Sequence, residues 1–388
     1  MLNRDEDILK AAEDWQKAGH GVALATVVET WGSAPRPAGS SLVINDDGTF
    51  LGSVSGGCVE GAVYELCRTA IETGVPKLQR YGISDDDAFE VGLTCGGIID
   101  LFVERIDQAS FPELYEVSAS ISSGEPVALV TCIEGPEDRL GRRMVVWPDR
   151  RSGTLGSNRL DDAAADDSRG LLAGGRTGIL HYGHDGERRG DDIAVFISSF
   201  APRPRMLVFG AIDFAAAVAR VGVFLGYKVT VCDAREVFAT AKRFRDADEV
   251  VVDWPHRYLR TELDQGNLDE RTVVCVLTHD PKFDVPVLEV ALRQPFAYVG
   301  AMGSRRTHDD RMKRLREAGM TEEELTRLAS PSGLDLGART PEETAVSIAA
   351  EIIAARWGGG GSRLTETVGR IHHEPMHGGE QEPAQIAH

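Results

Sequence analysis

The sequence is poor in cysteine, and its few cysteines are scattered. None of them pairs with another at the two-residue spacing that is typical of metal-binding and redox motifs. A disulfide framework, a structural zinc site and an iron–sulfur cluster each need clustered cysteines, so the sequence argues against all three. The six cysteines in 388 residues are Cys58, Cys67, Cys95, Cys132, Cys232 and Cys275.

Positive charge and long apolar runs are also scarce. Lys and Arg number 42 against 61 Asp and Glu, which gives a formal net charge of -19. This excess of negative charge repels a phosphate backbone, so we expect no nucleic-acid partner. No stretch reaches the length of about 18 apolar residues that a membrane span requires, and residues 1–7 lack the pattern of a signal peptide. We therefore predict a cytoplasmic protein with no membrane partner.

The length and composition are those of a globular protein with two domains. Hydrophobic residues make up 42% of the chain and charged residues 27%. The segment Pro202-Arg203-Pro204-Arg205 predicts the boundary, so the domains are expected at 1–201 and 202–357. Strand-like stretches between residues 126 and 199 are expected to complete the sheet of the first domain. Residues 358–388 begin with four glycines and are polar, which favours a disordered tail over metal binding by its histidines.

Two glycine-rich loops each carry one cysteine. In the first, Gly56-Gly57-Cys58 is followed by apolar residues at helical spacing, so Cys58 is expected in the first turn of a helix. Glycines let a ligand approach the main chain, and a helix start favours both an anion and a thiolate. In the second loop, Cys95-Gly96-Gly97 precedes a strand-like run, which predicts that Cys95 lies at the entrance of a strand. The alternative is that both are ordinary buried cysteines at tight turns.

A third loop, residues 29–39, contains two prolines, two glycines and Arg36. Such a rigid loop can hold Arg36 toward a bound anion, whereas the simpler interpretation is an exposed arginine in a turn. Together, Glu29…Gly32-Ser33-x-Pro35-Arg36…Gly39, Gly56-Gly57-Cys58-Val59-Glu60, and Cys95-Gly96-Gly97 with Asp100 and Glu104 resemble the N-terminal domain of the XdhC/CoxI family.

The resemblance implies an accessory protein rather than a catalyst. Such a protein binds molybdenum cofactor (molybdopterin) as cargo, protects it during sulfuration, and delivers it to a xanthine dehydrogenase-type molybdenum hydroxylase. It implies a client hydroxylase, a sulfur donor protein and a homodimer as partners. Cys58 and Cys95 would face the cofactor as molybdenum ligands or as a sulfur relay, and thiolates suit that soft metal chemistry. The other residues implied near the cofactor are Arg36, Gly56, Gly57, Gly96 and Gly97.

The second domain begins with the pattern of a Rossmann unit. A short strand ends at Gly210, a helix follows, and a second strand ends at Asp233, close to where an acidic residue would bind a ribose. The glycine fingerprint is broken, because Ile212 and Asp213 stand where the family has Gly and His. A branched side chain and a negative charge there both oppose pyrophosphate binding. We therefore predict a Rossmann scaffold with weak or lost NAD(P) affinity.

A second anion-binding turn is predicted further along this domain. Gly303-Ser304-Arg305-Arg306 forms a glycine turn with two cations at a helix start. This turn and the later segment Ser330–Pro341 also resemble the family. The domain is expected either to bind a phosphate at this turn or to dock the client and the sulfur donor.

Three functions follow from these patterns. The first is the cofactor chaperone. The second is an NAD(P)-dependent oxidoreductase or nucleotide-sensing protein that uses the Rossmann domain. The third is a complete xanthine dehydrogenase, which is excluded because scattered cysteines cannot ligate iron–sulfur clusters. We predict an α/β protein in which an XdhC-like α/β domain precedes a Rossmann-like doubly wound domain, and we favour the chaperone.

Overall fold

The computed structural model describes residues 5–82 and 97–367, with the side chains of residues 5 and 6 excepted. The chain divides after Pro202 into two compact units. Both units combine helices with sheets, and the second has a parallel sheet, so the predicted α/β class is confirmed. Among the described residues, no helix has the length and apolar character needed to cross a membrane.

The first unit contains four helices and ten strands among its described residues. They are α1 (Asp5–Lys17), β1 (Val22–Trp31), β2 (Ser41–Asn45), β3 (Phe50–Gly52), α2 (Glu60–Thr73), β4 (Lys77–Tyr81), β5 (Ile98–Ile106), α3 (Leu114–Ser123), β6 (Val127–Glu134), β7 (Arg143–Val146), β8 (Arg151–Gly153), α4 (Asn158–Ala173), β9 (Gly178–Tyr182) and β10 (Ile193–Phe200).

These strands form two antiparallel sheets rather than the single sheet that the sequence predicted. The first sheet has the order β3-β2-β1-β5-β4, and the second has the order β8-β7-β6-β10-β9. The prediction that residues 126–199 extend the first sheet is therefore wrong. Its physical reason is that β1 and β6 are buried on both faces, so the two sheets stack face to face instead of joining at their edges.

The core of this unit lies in successive layers. One face of the first sheet packs against α2, and the outer face of the second sheet packs against α4. Between the sheets lie two apolar clusters, one of which includes residues of α1 and α3. The acidic segment 161–170 lies within α4, where Asp161 is buried and its Oδ1 accepts a hydrogen bond of 2.7 Å from the Leu155 amide.

The second unit contains six strands and six α-helices among its described residues. They are β11 (Arg205–Phe209), α5 (Asp213–Phe224), β12 (Lys228–Cys232), β13 (Glu249–Val251), α6 (Pro255–Asp264), β14 (Val273–Val276), α7 (Pro281–Ala291), β15 (Tyr298–Ala301), α8 (Arg305–Glu317), α9 (Glu322–Thr326), β16 (Leu328–Ala329) and α10 (Pro341–Trp357), followed by a short 3-10 helix at Leu364–Glu366.

The sheet of the second unit is parallel and has the order β13-β12-β11-β14-β15-β16. Helices α5 and α10 cover one face, and α6 to α9 cover the other. This is the doubly wound arrangement of a Rossmann fold, with the strand order reversing between β11 and β14. Ligands of such sheets bind outside the carboxyl ends of the strands at that point.

Candidate functional site

The strand register brings the three motif segments to one end of the first sheet. Trp31 at the end of β1 pairs with Ile98 at the start of β5, and Tyr81 at the end of β4 pairs with Ile99. On the other side, Gly52 at the end of β3 pairs with Leu42 near the start of β2. The loop 32–40, the loop 53–59 and the chain between Gly82 and Gly97 therefore all leave the sheet from the same end.

Gly97 lies directly against the loop that carries Arg36. A Cβ atom at Gly97 would stand 2.6 Å from the Ala34 amide nitrogen and 2.9 Å from the Ser33 carbonyl carbon, so only glycine allows this approach. The second cysteine motif thus ends in contact with the loop that carries Arg36. Cys95 and Gly96 themselves lie outside the described residues.

Cys58 lies just before helix α2 rather than in its first turn. The helix begins at Glu60 and its N-cap is Val59, so the sequence placed Cys58 slightly too far into the helix. The reason is local: the Ser55 side chain, not a helical turn, arranges the amides of this loop. Cys58 is partly exposed, and both Cys58 and Ala34 pack against the edge of the core beneath α2.

Glu60 folds back into the loop and binds it from within. Its carboxylate accepts hydrogen bonds from the Ser53 hydroxyl at 2.7 Å, the Gly57 amide at 2.9 Å and the Ser55 amide at 3.0 Å, and also from the Ser55 hydroxyl. Burial acts to raise the pKa of Glu60, but the hydrogen bonds from Ser55 and Ser53 outweigh it and lower the pKa to about 2. The loop therefore contains a permanent negative charge at neutral pH.

Three further amides of the loop are bound by serine hydroxyls. Ser55 Oγ accepts from the amides of Cys58 and Val59, each at 3.0 Å, and Ser53 Oγ accepts from the Gly56 amide at 3.0 Å. The amides that the sequence suggested for anion binding are thus already bonded within the loop. Gly56 and Gly57 are exposed with φ of +74° and +116°, and no atom lies within 4 Å of a Cβ at either position. A ligand can therefore approach their open side.

Cys58 differs from the other described cysteines in its exposure. Cys67, Cys132, Cys232 and Cys275 are buried. Burial raises the pKa of Cys132 to about 11 and the pKa of each of the other three to about 12. These four thiols are protonated and shielded at neutral pH, so among residues 5–82 and 97–367 only Cys58 is placed to meet a ligand.

Charged residues flank the end of the same sheet. Arg80 binds Asp100 with two hydrogen bonds of 2.7 Å each, and its guanidinium lies 4.6 Å from the centre of the Trp31 ring. Glu29 lies opposite Asp100 in the register of β1 and β5. Burial and the negative charge of Asp100 raise the pKa of Glu29, and the positive charge of Arg80 offsets part of this increase. Arg36 is half-buried and makes no ion pair within the described part of the chain. Sequence reasoning missed Arg80, whose position opposite the motif residue Asp100 was the available signal.

In the second unit, the turn after β11 is closed by the protein's own side chains. Gly210 has φ of +111°, and a Cβ there would stand 2.8 Å from the Thr278 amide. Asp233 is buried, accepts from the Ala211 amide at 2.7 Å, and binds Arg235 at 2.7 and 2.9 Å. Burial acts to raise the pKa of Asp233, but the Arg235 and Ala211 hydrogen bonds lower it overall. Both carboxylate oxygens that could bind a ribose are therefore occupied.

The charge at the start of α5 is also neutralised internally. Arg243 binds Asp213 at 3.1 Å and the Ala211 carbonyl at 3.0 Å. Asp213 thus stands where a nucleotide phosphate would approach the helix, held there by an ion pair. The geometry agrees with the broken glycine fingerprint that the sequence shows.

The turn at Gly303–Arg306 is more open. Ser304 caps α8 by accepting from the Thr307 amide at 3.2 Å, and Arg305 and Arg306 are exposed without an ion pair in the portion of the chain that is described. The predicted residues of this turn are therefore together at a helix start. The His279–Asp280 pair at the same edge includes the helix cap of α7, since Asp280 accepts from the Lys282 amide at 3.1 Å.

The fold and the glycine–cysteine loop define a class: a two-unit α/β protein with a partly exposed thiol, Cys58, at a sheet end and a degenerate Rossmann unit. Two family models match the chain. The model described as the XdhC and CoxI family matches residues 15–82 and 120–183, and the model described as the XdhC Rossmann domain matches residues 206–352. The chain belongs to the XdhC and CoxI family.

Similar proteins come from several bacteria. A Bacillus subtilis protein, described as a probable subunit of xanthine dehydrogenase, is 29% identical over 349 residues, which cover 89% of this chain and 94% of that protein. The molybdenum cofactor insertion chaperone PaoD of Escherichia coli is 27% identical over 349 residues, covering 90% of this chain and 88% of PaoD. A crystal structure described as a xanthine dehydrogenase from Bacillus halodurans shares the fold, with a TM-score of 0.65, 23% identity and coverage of 92% and 96%.

Proposed function

We propose that this chain is an accessory protein that binds molybdenum cofactor and supports its sulfuration and insertion into a xanthine dehydrogenase-type molybdenum hydroxylase. The observation that carries the proposal is the meeting of three motif segments at one end of the first sheet, where Cys58 provides a partly exposed thiol. The similarity to PaoD supports the insertion step. The cofactor is cargo in this account, and the client enzyme performs the redox chemistry.

Cys58 provides the soft ligand of the proposed site. Its loop is fixed by Glu60 and Ser55, so the sulfur is presented on a rigid backbone next to two glycines that leave space for a bulky cargo. A thiolate suits molybdenum or a persulfide relay better than an oxygen ligand does. We propose Arg36, Gly56 and Gly57 as contacts to the cofactor's phosphate side.

Cys95 is the second proposed sulfur ligand or relay, together with Gly96 and Gly97. The argument rests on Gly97, which packs on the backbone of Ser33 and Ala34. Gly97 closes the Cys95-Gly96-Gly97 motif, so its contact with the Arg36 loop supports a role for this motif at the same end of the sheet. On this ground we propose that Cys58 and Cys95 act on one cargo.

The second unit has a supporting role in this proposal. Because Asp233 and Asp213 are bound by arginines, we propose that it docks the client or the sulfur donor, or binds a phosphate at Gly303–Arg306, rather than using NAD(P). We further propose that the protein acts in the cytoplasm, as a homodimer, with a molybdenum hydroxylase as client. The domain limits proposed for these roles are 1–201 and 202–357, with 358–388 as a tail.

The insertion step is tested by adding the purified, cofactor-loaded chain to a cofactor-free xanthine dehydrogenase-type enzyme and measuring recovery of hydroxylase activity. We expect recovery with the wild type and little recovery with Cys58→Ala. Cys67→Ala, whose thiol is buried in α2, is the matched control and should behave like the wild type. Equal recovery with and without the chain, alongside saturable NAD binding to it, would favour the oxidoreductase or nucleotide-sensing function instead.

A further inference from the structure

A cavity lies beside the cysteine loop, between the edge of the first sheet and helix α2. Its volume is about 170 Å³, and it is lined by Leu42, Phe50, Glu60, Gly61 and Tyr64. Leu42 is buried at its base, whereas the other four residues are exposed or partly exposed, so the cavity is open to solvent. Glu60 and Gly61 follow Cys58 by two and three residues. The cavity therefore adjoins the loop that carries the thiol.

Two aromatic side chains line the cavity. Phe50, the first residue of the edge strand β3, is 54% exposed. It lies opposite Ile44, which packs under α2, so the Phe50 ring is on the α2 face of the sheet. Tyr64 extends from α2 to the turn between β2 and β3, where a Cβ at Gly48 would stand 2.5 Å from its hydroxyl oxygen. A flat conjugated ring stacks favourably on such side chains.

Gly61 keeps the helix side of the cavity open. It is the second residue of α2, and a glycine within a helix costs up to about 1 kcal/mol relative to alanine. Beyond the backbone of its own helix, no atom in the described part of the chain lies within 4 Å of a Cβ at this position. The packing of the protein therefore does not require glycine here. Its lack of a side chain instead lets a ligand approach the backbone closely.

The polar groups around the cavity favour a ligand with N–H donors over a phosphate. Glu60 is ionised at neutral pH, so its carboxylate repels a phosphate. The Thr49 carbonyl accepts a hydrogen bond of 3.0 Å from the Asn45 amide of β2. Because the main-chain groups of successive strand residues point in opposite directions, those of Phe50 point away from β2 to the free edge of the sheet. Acceptors at this edge suit the N–H groups of a heteroaromatic ring.

We propose that this cavity binds the pterin of the molybdenum cofactor, with the ring system against the side chains of Phe50 and Tyr64 and over the backbone of Gly61. The inference rests on the proposed function, in which Cys58 meets the molybdenum end of the same cargo. The pterin is fused to a pyran ring that carries the dithiolene for molybdenum, so a pterin in this cavity leaves the metal end beside the Cys58 loop. A closed apolar cavity of about 150 Å³ takes up benzene. One ring of the pterin therefore fits inside, and the fused ring lies at the open side.

The test uses 6-hydroxymethylpterin, which carries no molybdenum, sulfur or phosphate. The full-length protein, purified from a host that does not make the cofactor, is titrated and followed by pterin fluorescence. We expect saturable binding of one pterin per chain. Gly61→Leu fills the cavity with a better helix former and should weaken binding by at least about tenfold. Gly170→Leu is the matched control, because Gly170 is an exposed glycine of α4 with equally open space at its Cβ.

A second pair of variants tests the aromatic contact. Phe50→Ala should also weaken binding, whereas Phe50→Tyr retains the ring and should retain binding. Because Phe50 is exposed, neither change removes a core residue.

Three results would overturn the inference. They are the lack of saturable pterin binding to the wild type at millimolar concentration, equal affinity in the wild type and in Gly61→Leu, and tighter binding of guanosine than of the pterin. The last would assign the cavity to a nucleotide base. The cofactor content of the same proteins, made in a host that supplies the cofactor, separates this inference from the proposed function. A wild type and a Gly61→Leu variant that are equally loaded would leave the chaperone function intact and refute the pterin site, whereas pterin binding that depends on Gly61 in a chain that never carries cofactor would support the site and refute the chaperone function.

Discussion

Glu60 determines the shape of the cysteine loop, and its effect depends on pH. The folded-state pKa of about 2 lies below the ordinary 4.5, so the carboxylate stabilises the fold above pH 4.5 and loses this contribution as the pH falls toward 2. We predict that Glu60→Gln unfolds at a lower temperature than the wild type at pH 7, because an amide cannot accept all of the loop's hydrogen bonds. The difference in melting temperature should shrink as the pH approaches 2. A difference independent of pH would show that the charge of Glu60 has no part in the loop.

The difference in exposure between Cys58 and the other described cysteines predicts the order in which they react. In the native protein, iodoacetamide should label Cys58 well before Cys67, Cys132, Cys232 and Cys275, since burial raises the pKa of those four thiols and shields them. Peptide mass spectrometry after timed labelling measures the order. Labelling in denaturant is the control, in which all should react at similar rates. Early labelling of Cys232 or Cys275 in the native protein would contradict the structure.

Sequence reasoning identified the cysteine loop from its residues but not how the loop is held. The adjacency of Gly56, Gly57 and Cys58 indicates a ligand-accessible backbone. That the Glu60 side chain occupies the amides of this backbone depends on its rotamer and on Ser53 and Ser55, which residue spacing does not reveal. For the same reason, the ion pair of Asp233 with Arg235 was not predicted, although the broken fingerprint nearby was recognised.

At the scale of elements, a buried ion pair joins α7 and α8. Arg311 binds Asp284 at 3.0 Å, the Met302 carbonyl at 2.9 Å and the Ser330 hydroxyl at 3.0 Å, and so connects both helices to the turns after β15 and β16. Both side chains are at most 5% exposed. Arg311 therefore positions the turn that carries Ser304 to Arg306 from beneath.

Removing one partner of this pair should be strongly destabilising. We predict that Arg311→Met lowers the free energy of unfolding by about 3 to 5 kcal/mol, because Asp284 is left buried without a counter-charge. The double variant Asp284→Leu/Arg311→Met is the matched control and should recover much of the loss. Urea denaturation of the three proteins measures both changes. A double variant as unstable as the single one would show that the hydrogen bonds to Met302 and Ser330, not the charge, matter most.

The elements of the two units were predictable to different degrees. In the Rossmann unit, every strand except β12 is followed by a helix, so local pattern and chain order were enough to predict a mostly parallel sheet. In the first unit, four of the five strands between residues 127 and 200 were recognised, all except β8, but their partners were not. Antiparallel pairing in this unit joins residues that are distant in sequence, such as Val22 and Ile106. When a strand is buried on both faces, its apolar pattern also does not identify the strand beside it.

For the whole molecule, the central claim is that the first unit holds a molybdenum cofactor at the end of its sheet. The family membership and the similarity to an insertion chaperone agree with this claim, and the arrangement of the motif segments gives it a location. The net charge of -19 repels a phosphate-bearing cargo. In this account, local positive groups such as Arg36 must therefore hold the phosphate.

The most direct measurement is the molybdenum and pterin content of the protein purified from a host that makes the cofactor. Metal analysis and the fluorescence of the oxidised pterin should show close to one cofactor per chain in the wild type. Cys58→Ala and Cys95→Ala should lose most of it, and Cys67→Ala should retain it. A wild type without pterin, or a Cys58→Ala variant that is fully loaded, would contradict the account.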